Sequence, residues 1–342
     1  RADQTITFGF IKQGLLLYPG AEYAGEITLV DIGFPEIALK QAKQNTFYYE
    51  AKDLLRLPKR RDDSHKGSYG KVLIIAGSKG MSGAAYLSAK AAYKTGAGLV
   101  KVLTSCENRV IMQTSLPEAL FAAYDSEELS PQEIEKEILS TINWATVIVI
   151  GPGLGQSNYA EQLLNIVINE AKVPLIIDAD ALNLLSKRMD LEYHDVKSRW
   201  DYLTDLLKEN TVLTPHIMEL SRLTGLQISE IKNNRIDTFC QSSYNNKLIV
   251  AIKDARTIVT HHGSSYINVS GNNGMATGGS GDVLTGIIAA LIAQGMIPYE
   301  ATCLAVYVHG LSGDIAAEKK GAPSLMAGDI ADTIEEVIKR GR

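Results

Sequence analysis

The stretch NNGMATGGSGDVLTG, residues 272–286, places four glycines and Asp282 directly before a long apolar segment with helical character. Glycines put no side chain between the backbone and a ligand, so the N–H groups of GGSGD can close on an anion. A helix N-terminus adds about half a positive charge at the same place. A carboxylate beside a phosphate held there can take a proton from a hydroxyl group that is about to be phosphorylated. The stretch therefore indicates phosphoryl transfer to an alcohol, whereas a bare GxGD would favour a simple helix-capping turn.

Composition and charge narrow the class of protein. Of the 342 residues, 45% are hydrophobic, 21% are charged and 29 are glycine, which fits about two domains or one large α/β domain. The net charge of −5, from 34 basic and 39 acidic residues, argues against nucleic acid and anionic membranes as partners. Cys106, Cys240 and Cys303 lie far apart without a CxxC pair, so zinc is not indicated and we expect a reducing compartment.

The chain carries no sign of a secretion signal or a membrane segment. The N-terminal residues RADQTITFGF lack the basic region and apolar core of a signal peptide. The longest apolar run, around residues 286–293, is too short to span a bilayer. We therefore expect a cytoplasmic protein.

Residues 1–50 and 51–342 are predicted to form two units. The first has too little chain to bury a core of its own, so it must pack on something else, and a charged link, KRRDDSHKG (59–67), follows it. From residue 71 onward, strand-like and helix-like runs alternate, which predicts a mostly parallel sheet with helices on both faces. Residues 188–210 are polar and weakly periodic, and we interpret them as a helical insertion on the surface.

The pattern gives approximate bounds for the individual elements. Predicted strands cover residues 27–34, 71–77, 99–104, 146–150, 173–178, 211–214, 248–253, 257–261 and 264–269. Predicted helices cover residues 82–95, 130–141, 157–171, 215–224, 282–294, 299–318 and 326–340. In parallel sheets ligands bind beyond the carboxyl ends of the strands, and most of the unusual motifs lie at those ends.

Glycine-rich and acidic motifs follow three of the predicted strands. AGSKGMSGAA (76–85) and GPGLG (151–155) let a ligand approach the backbone, although each is also typical of a tight strand-to-helix turn. A P-loop is not supported, because GxxxxGK[ST] is absent. In DADAL (178–182), Asp178 at a strand end could organise Mg²⁺ through water, and Asp180 is predicted to be the N-cap of the next helix.

Histidine and lysine follow two more strands. His216 in LTPHIMEL begins a helix after a proline, and we favour ligand contact over a structural role. In KDART (253–257), Lys253 can meet phosphate charge and the loop backbone can hold a nucleotide, although alone the segment would be interpreted as a solvated hairpin. His261 and His262 are interpreted as exposed turn residues, and His309 carries no signal.

Taken together and in this order, the motifs resemble those of the NAD(P)HX dehydratases, a branch of the ribokinase-like fold. The matching motifs are AGSKGMSGAA, GPGLG, DADALN, LTPH, KDART and NNGMATGGSGD, and TGGSGDVLTG is the most specific part. The resemblance implies a three-layer α/β/α domain with a central, mostly parallel sheet over residues 51–342. Residues 1–50, with TITFG, GLLLYPG and VDIG, are similar to the C-terminal end of an NAD(P)HX epimerase domain.

The resemblance also implies a reaction and its site. The family uses ADP or ATP to repair NADH or NADPH that has been hydrated at the nicotinamide ring, phosphorylating the ring hydroxyl and then eliminating it. Asp282 would be the catalytic base, and Mg²⁺ would bridge the phosphates. The implied substrate-binding residues are Ala84, Gly153, Gly155, His216 and Asp282. The implied nucleotide-binding residues are Lys253, Asp254, Ala255, Arg256, Thr257, Gly278, Gly279, Ser280 and Gly281.

Two features depart from the family pattern. Met218 stands where the family often has glycine, in TPHxGE, which affects the expected loop shape but not His216. The catalytic and phosphate-binding parts of an epimerase would lie before residue 1, so we expect no epimerase activity from these 342 residues alone. The missing segment could lie on another chain. The resemblance further suggests a homo-oligomer, with a tetramer as one form.

Two other functions are compatible with parts of the pattern. A vitamin kinase of the same fold, acting on a small alcohol such as hydroxyethylthiazole or pyridoxal, would share the GxGD helix start. The combination of GPGLG, DADALN and LTPH suits a site for a dinucleotide hydrate better. A non-catalytic nucleotide sensor would be indicated by loss of Asp282 or of the glycines, and all of them are present.

Overall fold

The elements follow the predicted alternation of strands and helices. A computed structural model describes residues 1–42, 44–125, 130–190, 192–233 and 247–341. The strands in these ranges are β1 (Gln4–Phe8), β2 (Glu26–Val30), β3 (Thr46–Phe47), β4 (Lys71–Ile75), β5 (Leu99–Thr104), β6 (Leu120–Ala123), β7 (Val147–Ile150), β8 (Leu175–Ile177), β9 (Val212–Leu213), β10 (Ile249–Ile252), β11 (Ile258–His261) and β12 (Ser264–Ile267). The α-helices are α1 (Gln13–Leu16), α2 (Gly20–Tyr23), α3 (Glu36–Gln41), α4 (Ser82–Thr95), α5 (Arg109–Ser115), α6 (Pro131–Trp144), α7 (Asn158–Glu170), α8 (Ala179–Met189), α9 (Val196–Leu206), α10 (Ile217–Thr224), α11 (Ile228–Asn233), α12 (Ser280–Ala293), α13 (Pro298–Lys320) and α14 (Ala327–Arg340).

A central sheet organises the molecule. Within the described residues its strand order is β3-β12-β11-β10-β9-β8-β7-β4-β5-β6. Strand β11 runs antiparallel to β10 and β12, and the remaining neighbours are parallel. The predicted mostly parallel sheet is therefore confirmed, as is the hairpin formed by β11 and β12.

Helices cover both faces of this sheet. Successive residues of β4 point to opposite faces, with Val72 and Ile74 in one apolar core and Leu73 and Ile75 in the other. The first core is shared with α4, α12, α13 and α14, and the second with α6, α7, α8, α9 and α10. This is the predicted three-layer α/β/α arrangement.

Close packing of α4 against α12 sets the position of the GGSGD turn. A Cβ placed on Gly286 would lie 2.2 Å from the carbonyl oxygen of Ser88, so only glycine allows this approach. The Ser88 hydroxyl donates a hydrogen bond of 2.8 Å to the carbonyl oxygen of Asp282. The start of α12 is thereby held against α4.

The N-terminal residues form a small unit that packs on the edge of the main sheet. Strands β1 and β2 form a two-stranded parallel sheet, while β3 pairs with β12 and so extends the main sheet. Leu16 and Leu17 pack against Ile258 and Ile267 of the β11–β12 hairpin. The division at residue 50 and the origin of this unit stay predictions.

The structure differs from the prediction in several places, and three of them concern burial and the extent of the sheet. Helix α9 does not lie only on the surface, because Trp200 and Leu203 are 2% and 0% exposed. Strand β6 was not predicted, since LFAA is short and lies between irregular segments. His261 is partly buried rather than exposed, and its ring lies 4.1 Å from that of His262.

The structure describes two of the three cysteines, and it also bears on the prediction that the chain has no membrane-spanning segment. Cys240 falls outside the described residues, while Cys303 is buried and Cys106 partly buried. Among the helices in the described ranges, none has the length and apolar character that crossing a bilayer requires.

Candidate active site

The motifs predicted to bind ligands meet at one edge of the sheet. Five of them follow β4, β7, β8, β9 and β10, which are adjacent strands that end at the same edge, and the sixth, NNGMATGGSGD, lies between β12 and α12. The chain passes from β4 to β5 on one side and later to β7 on the other, so β4 and β7 flank a topological switch point. Ligands of open α/β sheets bind at such points.

A buried ion pair lies at the centre of this edge. Lys253 Nζ donates to Asp178 Oδ1 at 2.6 Å, and the Thr214 hydroxyl donates to the same oxygen at 2.7 Å. Asp178 is 1% exposed. Burial alone would lower the pKa of Lys253, but Asp178, Glu219 and Asp282 together raise it above its ordinary value. The lysine is therefore a permanent positive charge at the strand ends.

This ammonium group faces the glycine loop before α12. A Cβ placed on Gly281 would lie 3.2 Å from Lys253 Nζ and 3.9 Å from Asp178 Oδ2, so any side chain there would crowd the pair. Gly279 is the N-cap of α12 and has a φ of 90°, in the left-handed region that favours glycine. Around Gly278, the described residues leave open space on the Cβ side. An anion such as phosphate can bind here, because Lys253, the N-terminus of α12 and the accessible backbone of the glycine loop all face the same place.

Asp282 lies in the first turn of α12, beside the same loop. Its Oδ2 is 3.8 Å from the Cβ position of Gly279. Burial, reinforced by the charge of Asp178 and partly offset by Lys253, raises the pKa of Asp282 to about 7. A carboxyl group with a pKa near neutrality is well matched to general base catalysis at physiological pH.

The ring of His216 is held in place at the start of α10. It is the N-cap of α10, and its Nδ1 accepts hydrogen bonds from the backbone N–H groups of Met218 and Glu219 at 3.1 and 3.2 Å. Burial and the charge of Lys253 lower the pKa of His216, which keeps the ring neutral at pH 7. A neutral ring with an accepting Nδ1 carries its proton on Nε2, so His216 can donate to a substrate but cannot serve as a base.

Glu219 belongs to the same cluster and was not among the predicted site residues. Its Oε2 accepts from the His216 backbone N–H at 2.8 Å, and its Oε1 lies 3.3 Å from His216 Nε2. Burial raises the pKa of Glu219, although Lys253 counteracts this. The signal in the sequence is the spacing of a capping box, with glutamate three residues after the N-cap.

The predicted substrate loops touch one another. Gly153 has a φ of 58°, and a Cβ on it would lie 2.9 Å from Cβ of Ala84 in the first turn of α4. The N–H group of Gly155 donates to Asp180 Oδ2 at 2.8 Å. The prediction that Asp180 is an N-cap is wrong, because α8 already begins at Ala179 and the carboxylate of Asp180 instead holds the GPGLG loop.

The 253–257 loop connects β10 to β11 and lies next to the ion pair. Asp254, Arg256 and Thr257 are partly buried and Ala255 is exposed. The Arg256 guanidinium donates to the Val269 carbonyl oxygen at 2.6 Å and lies 5.9 Å from the centre of the Tyr18 ring. The side chain of Arg256 therefore ties this loop to the segment that follows β12 and to the N-terminal unit, and its assignment to nucleotide binding stays a prediction.

A second histidine contacts the glycine loop. His309 Nε2 lies 3.3 Å from the Ser280 hydroxyl, and burial lowers the pKa of His309 to about 4, so the ring is neutral. A single histidine in an apolar helix gave no sequence signal for this contact, because it depends on the packing of α13 against α12.

Comparison with known proteins gives the family. The sequence profile described as NAD(P)H-hydrate dehydratase matches residues 72–336. This chain belongs to that family. The resemblance seen in the motifs is thereby confirmed, and the vitamin kinase alternative is not favoured.

Other members of the family and related structures extend this result. The bifunctional NAD(P)H-hydrate repair enzyme of Thermofilum pendens is 36% identical over 99% of this chain, which spans 62% of that relative's length. A ribokinase-like superfamily protein from Enterococcus faecalis has a TM-score of 0.73 and 30% identity, covering 87% of this chain and 97% of the other. The ADP/ATP-dependent NAD(P)H-hydrate dehydratase of Bacillus subtilis, co-crystallised with ATP and Mg²⁺, has a TM-score of 0.68 and 27% identity, covering 86% and 98%. The predicted ribokinase-like fold of this family member is confirmed.

Proposed function

We propose that this chain catalyses the ADP- or ATP-dependent dehydration of hydrated NADH or NADPH to NADH or NADPH. The observation that carries the proposal is the position of Asp282, a carboxyl group with a pKa of about 7, at the start of α12 beside Lys253 and the backbone of Gly281. Membership of the dehydratase family supplies the substrate class.

The first step is phosphoryl transfer. The nucleotide lies along the 253–257 loop with its terminal phosphate toward Lys253 and the N–H groups of Gly279 and Gly281. The ring hydroxyl gives its proton to Asp282 while its oxygen attacks the terminal phosphorus, and the bond to the leaving nucleotide breaks. The positive charge at the glycine loop is already in place, so it stabilises the negative charge of the transferred phosphoryl group without any movement of the protein.

The second step is elimination. The carbon–oxygen bond breaks and the phosphate leaves with the electron pair. The neighbouring ring carbon gives its proton to the departing phosphate, and the electron pair of that carbon–hydrogen bond forms the ring double bond. His216 donates a hydrogen bond from Nε2 to hold the substrate, and Ala84, Gly153 and Gly155 leave room for the ring against the backbone.

Mg²⁺ fits the site as an ion held mainly by phosphates. No cluster of three His, Cys, Asp or Glu side chains suited to a metal occurs in the described ranges. Mg²⁺ usually keeps several waters and binds through one or two carboxylates plus substrate phosphates, so a protein cage is not needed. Asp178 and Asp180 would orient its waters, and the bound ion would neutralise phosphate charge during transfer.

The test follows the reduced nicotinamide directly. Purified protein is incubated with hydrated NADH or NADPH, Mg²⁺ and either ADP or ATP, and recovery of the reduced-nicotinamide absorbance is measured together with released phosphate. We expect equal amounts of both products. Absence of recovery, with phosphorylation of hydroxyethylthiazole or pyridoxal instead, would establish the vitamin kinase.

Assembly and location are further parts of this proposal. The family resemblance supports a cytoplasmic homo-oligomer, which light scattering of the purified protein tests.

A further inference from the structure

A cavity lies at the same edge of the sheet, beyond the predicted substrate loops. It has a volume of about 320 Å³ and lies at the carboxyl ends of β4, β5, β6 and β7. The 253–257 loop follows β10, on the opposite side of β7. Neighbouring strands are about 4.8 Å apart, so β6 lies roughly 14 Å beyond β7. The cavity therefore extends the substrate loops in the direction away from the nucleotide.

The cavity and the proposed substrate site share one wall. Ser78 and Leu154 line the cavity. The Ser78 hydroxyl donates to the carbonyl oxygen of Gly153 at 3.0 Å and lies 3.5 Å from the Cβ position of Gly155. A molecule that contacts Gly153 with one end can reach the cavity with the other without passing the 253–257 loop.

One face of the cavity suits a planar base. The rings of Tyr124 and Tyr159 are stacked, with centroids 5.5 Å apart and an interplanar angle of 30°. Tyr124 is buried, whereas Tyr159 is 37% exposed and its hydroxyl donates to the Tyr124 carbonyl oxygen. Tyr159 thus offers an exposed aromatic surface in a fixed orientation, and bases stack well on such surfaces.

Two of the three charged residues that line the cavity are acidic. Asp125 accepts hydrogen bonds from the Ser105 hydroxyl at 2.7 Å and the Cys106 N–H at 2.6 Å, which fixes its carboxylate at the wall. Glu107 pairs with Lys79 at 2.9 Å, so the one lysine among the described lining residues is already neutralised. A fixed carboxylate accepts a hydrogen bond from a ribose hydroxyl and repels a phosphate at the same position.

We propose that this cavity holds the adenosine end of the dinucleotide substrate and selects a ribose with a free 2′-hydroxyl. The inference rests on the proposed function, which requires a substrate with two nucleoside halves. The nicotinamide half reaches Asp282, and the adenosine half stacks on Tyr159 with its ribose beside Asp125. Hydrated NADH is then the preferred substrate over hydrated NADPH.

The role of the Asp125 carboxylate in selecting the free 2′-hydroxyl is tested with Asp125→Asn, which removes the charge and keeps the shape of the side chain. Steady-state kcat/KM is measured for both hydrates, and binding of NADH and NADPH is followed by their fluorescence. We expect the unmodified protein to favour the NADH form and the variant to lose about tenfold of that preference, the size of one charge contact near a protein surface. The matched control is Asp63→Asn, an exposed acid paired with Arg61, which should leave the ratio unchanged. An unchanged ratio in Asp125→Asn, or a preference of the unmodified protein for the NADPH form, overturns the proposal.

The aromatic surface is tested separately with Tyr159→Ala. We expect KM to rise several-fold for both dinucleotide hydrates with an unchanged ratio between them, whereas hydrated nicotinamide mononucleotide, which lacks the adenosine half, is unaffected. An equal effect on the mononucleotide would show a structural role only and would overturn the proposal. If neither hydrate is turned over, the proposed function fails. The NADH and NADPH binding constants still decide whether the cavity discriminates.

Discussion

At the residue scale, the proposed reaction depends on one carboxylate, and Asp282→Asn tests it. Asparagine keeps the size of the side chain and the start of α12, so nucleotide affinity should persist. Loss of a general base typically reduces turnover by about 10²- to 10⁴-fold, and we expect kcat to fall by that order. Asp195→Asn, at the N-cap of α9, is the control for a helix-capping effect and should leave kcat intact. Unchanged turnover in Asp282→Asn would remove this residue from the mechanism.

The charges around Asp282 give a second prediction at this scale. The base must be ionised, so kcat/KM should rise with pH and level off above the pKa of Asp282, about 7. Lys253 lowers that pKa and Asp178 raises it. In Lys253→Met the acid limb of the profile should therefore move to higher pH, and in Asp178→Asn to lower pH. Both variants will also have a lower kcat/KM, so the quantity compared is the pH at which the acid limb of the profile reaches half its maximum. Movement in the same direction in both would contradict the assignment of the limb to Asp282.

At the scale of elements, the contact between α4 and α12 controls where Asp282 lies. In Gly286→Ala the new Cβ would be 2.2 Å from the carbonyl oxygen of Ser88, so the two helices must separate. Overpacking of this kind costs about 1–3 kcal/mol, which we expect as a lower free energy of unfolding in urea. The matched control is Gly328→Ala in α14, where a Cβ meets no described atom within 4 Å. Equal stability of the two variants would show that α4 and α12 tolerate the methyl group.

A helix or strand could be predicted from the sequence where its whole hydrophobic pattern lies within one short segment. The helix predicted at 82–95 and the strand predicted at 99–104 match α4 and β5 because an apolar run or a helical period is complete within each. The burial of Trp200 in α9 was missed, since the polar residues around it hide a narrow apolar face. The Asp178–Lys253 pair joins residues 75 positions apart. Such contacts follow from strand order, which local periodicity does not contain.

At the scale of the whole molecule, the motifs of the candidate site are arranged along one edge of the sheet. From β10 toward β6 the edge carries the 253–257 loop, the ion pair of Asp178 and Lys253, the GPGLG loop and the cavity beside Tyr159. Donor, reacting ring and adenosine end would then lie in a row across the sheet. The strand order thus brings motifs that are scattered through the sequence to one edge of the sheet.

The N-terminal unit contacts the 253–257 loop through Tyr18. Substitution of Tyr18 tests whether this contact supports nucleotide binding. Tyr18 lies 5.9 Å from the Arg256 guanidinium, which in turn holds the Val269 carbonyl oxygen next to the 253–257 loop. Losing a cation–π contact of this kind should raise the KM for ADP or ATP about 3- to 10-fold in Tyr18→Ala, with little change in the KM for the hydrate.

Tyr18→Phe keeps the ring face and should behave like the unmodified protein, whereas Tyr23→Ala, at a 54% exposed position in α2, controls for general damage to the N-terminal unit. A matching rise in Tyr23→Ala would mean that the whole unit, and not the ring over Arg256, supports the nucleotide loop. Unchanged nucleotide KM in Tyr18→Ala would show that the loop holds its shape without the Tyr18 ring. Direct calorimetry of nucleotide binding separates these outcomes from effects on turnover.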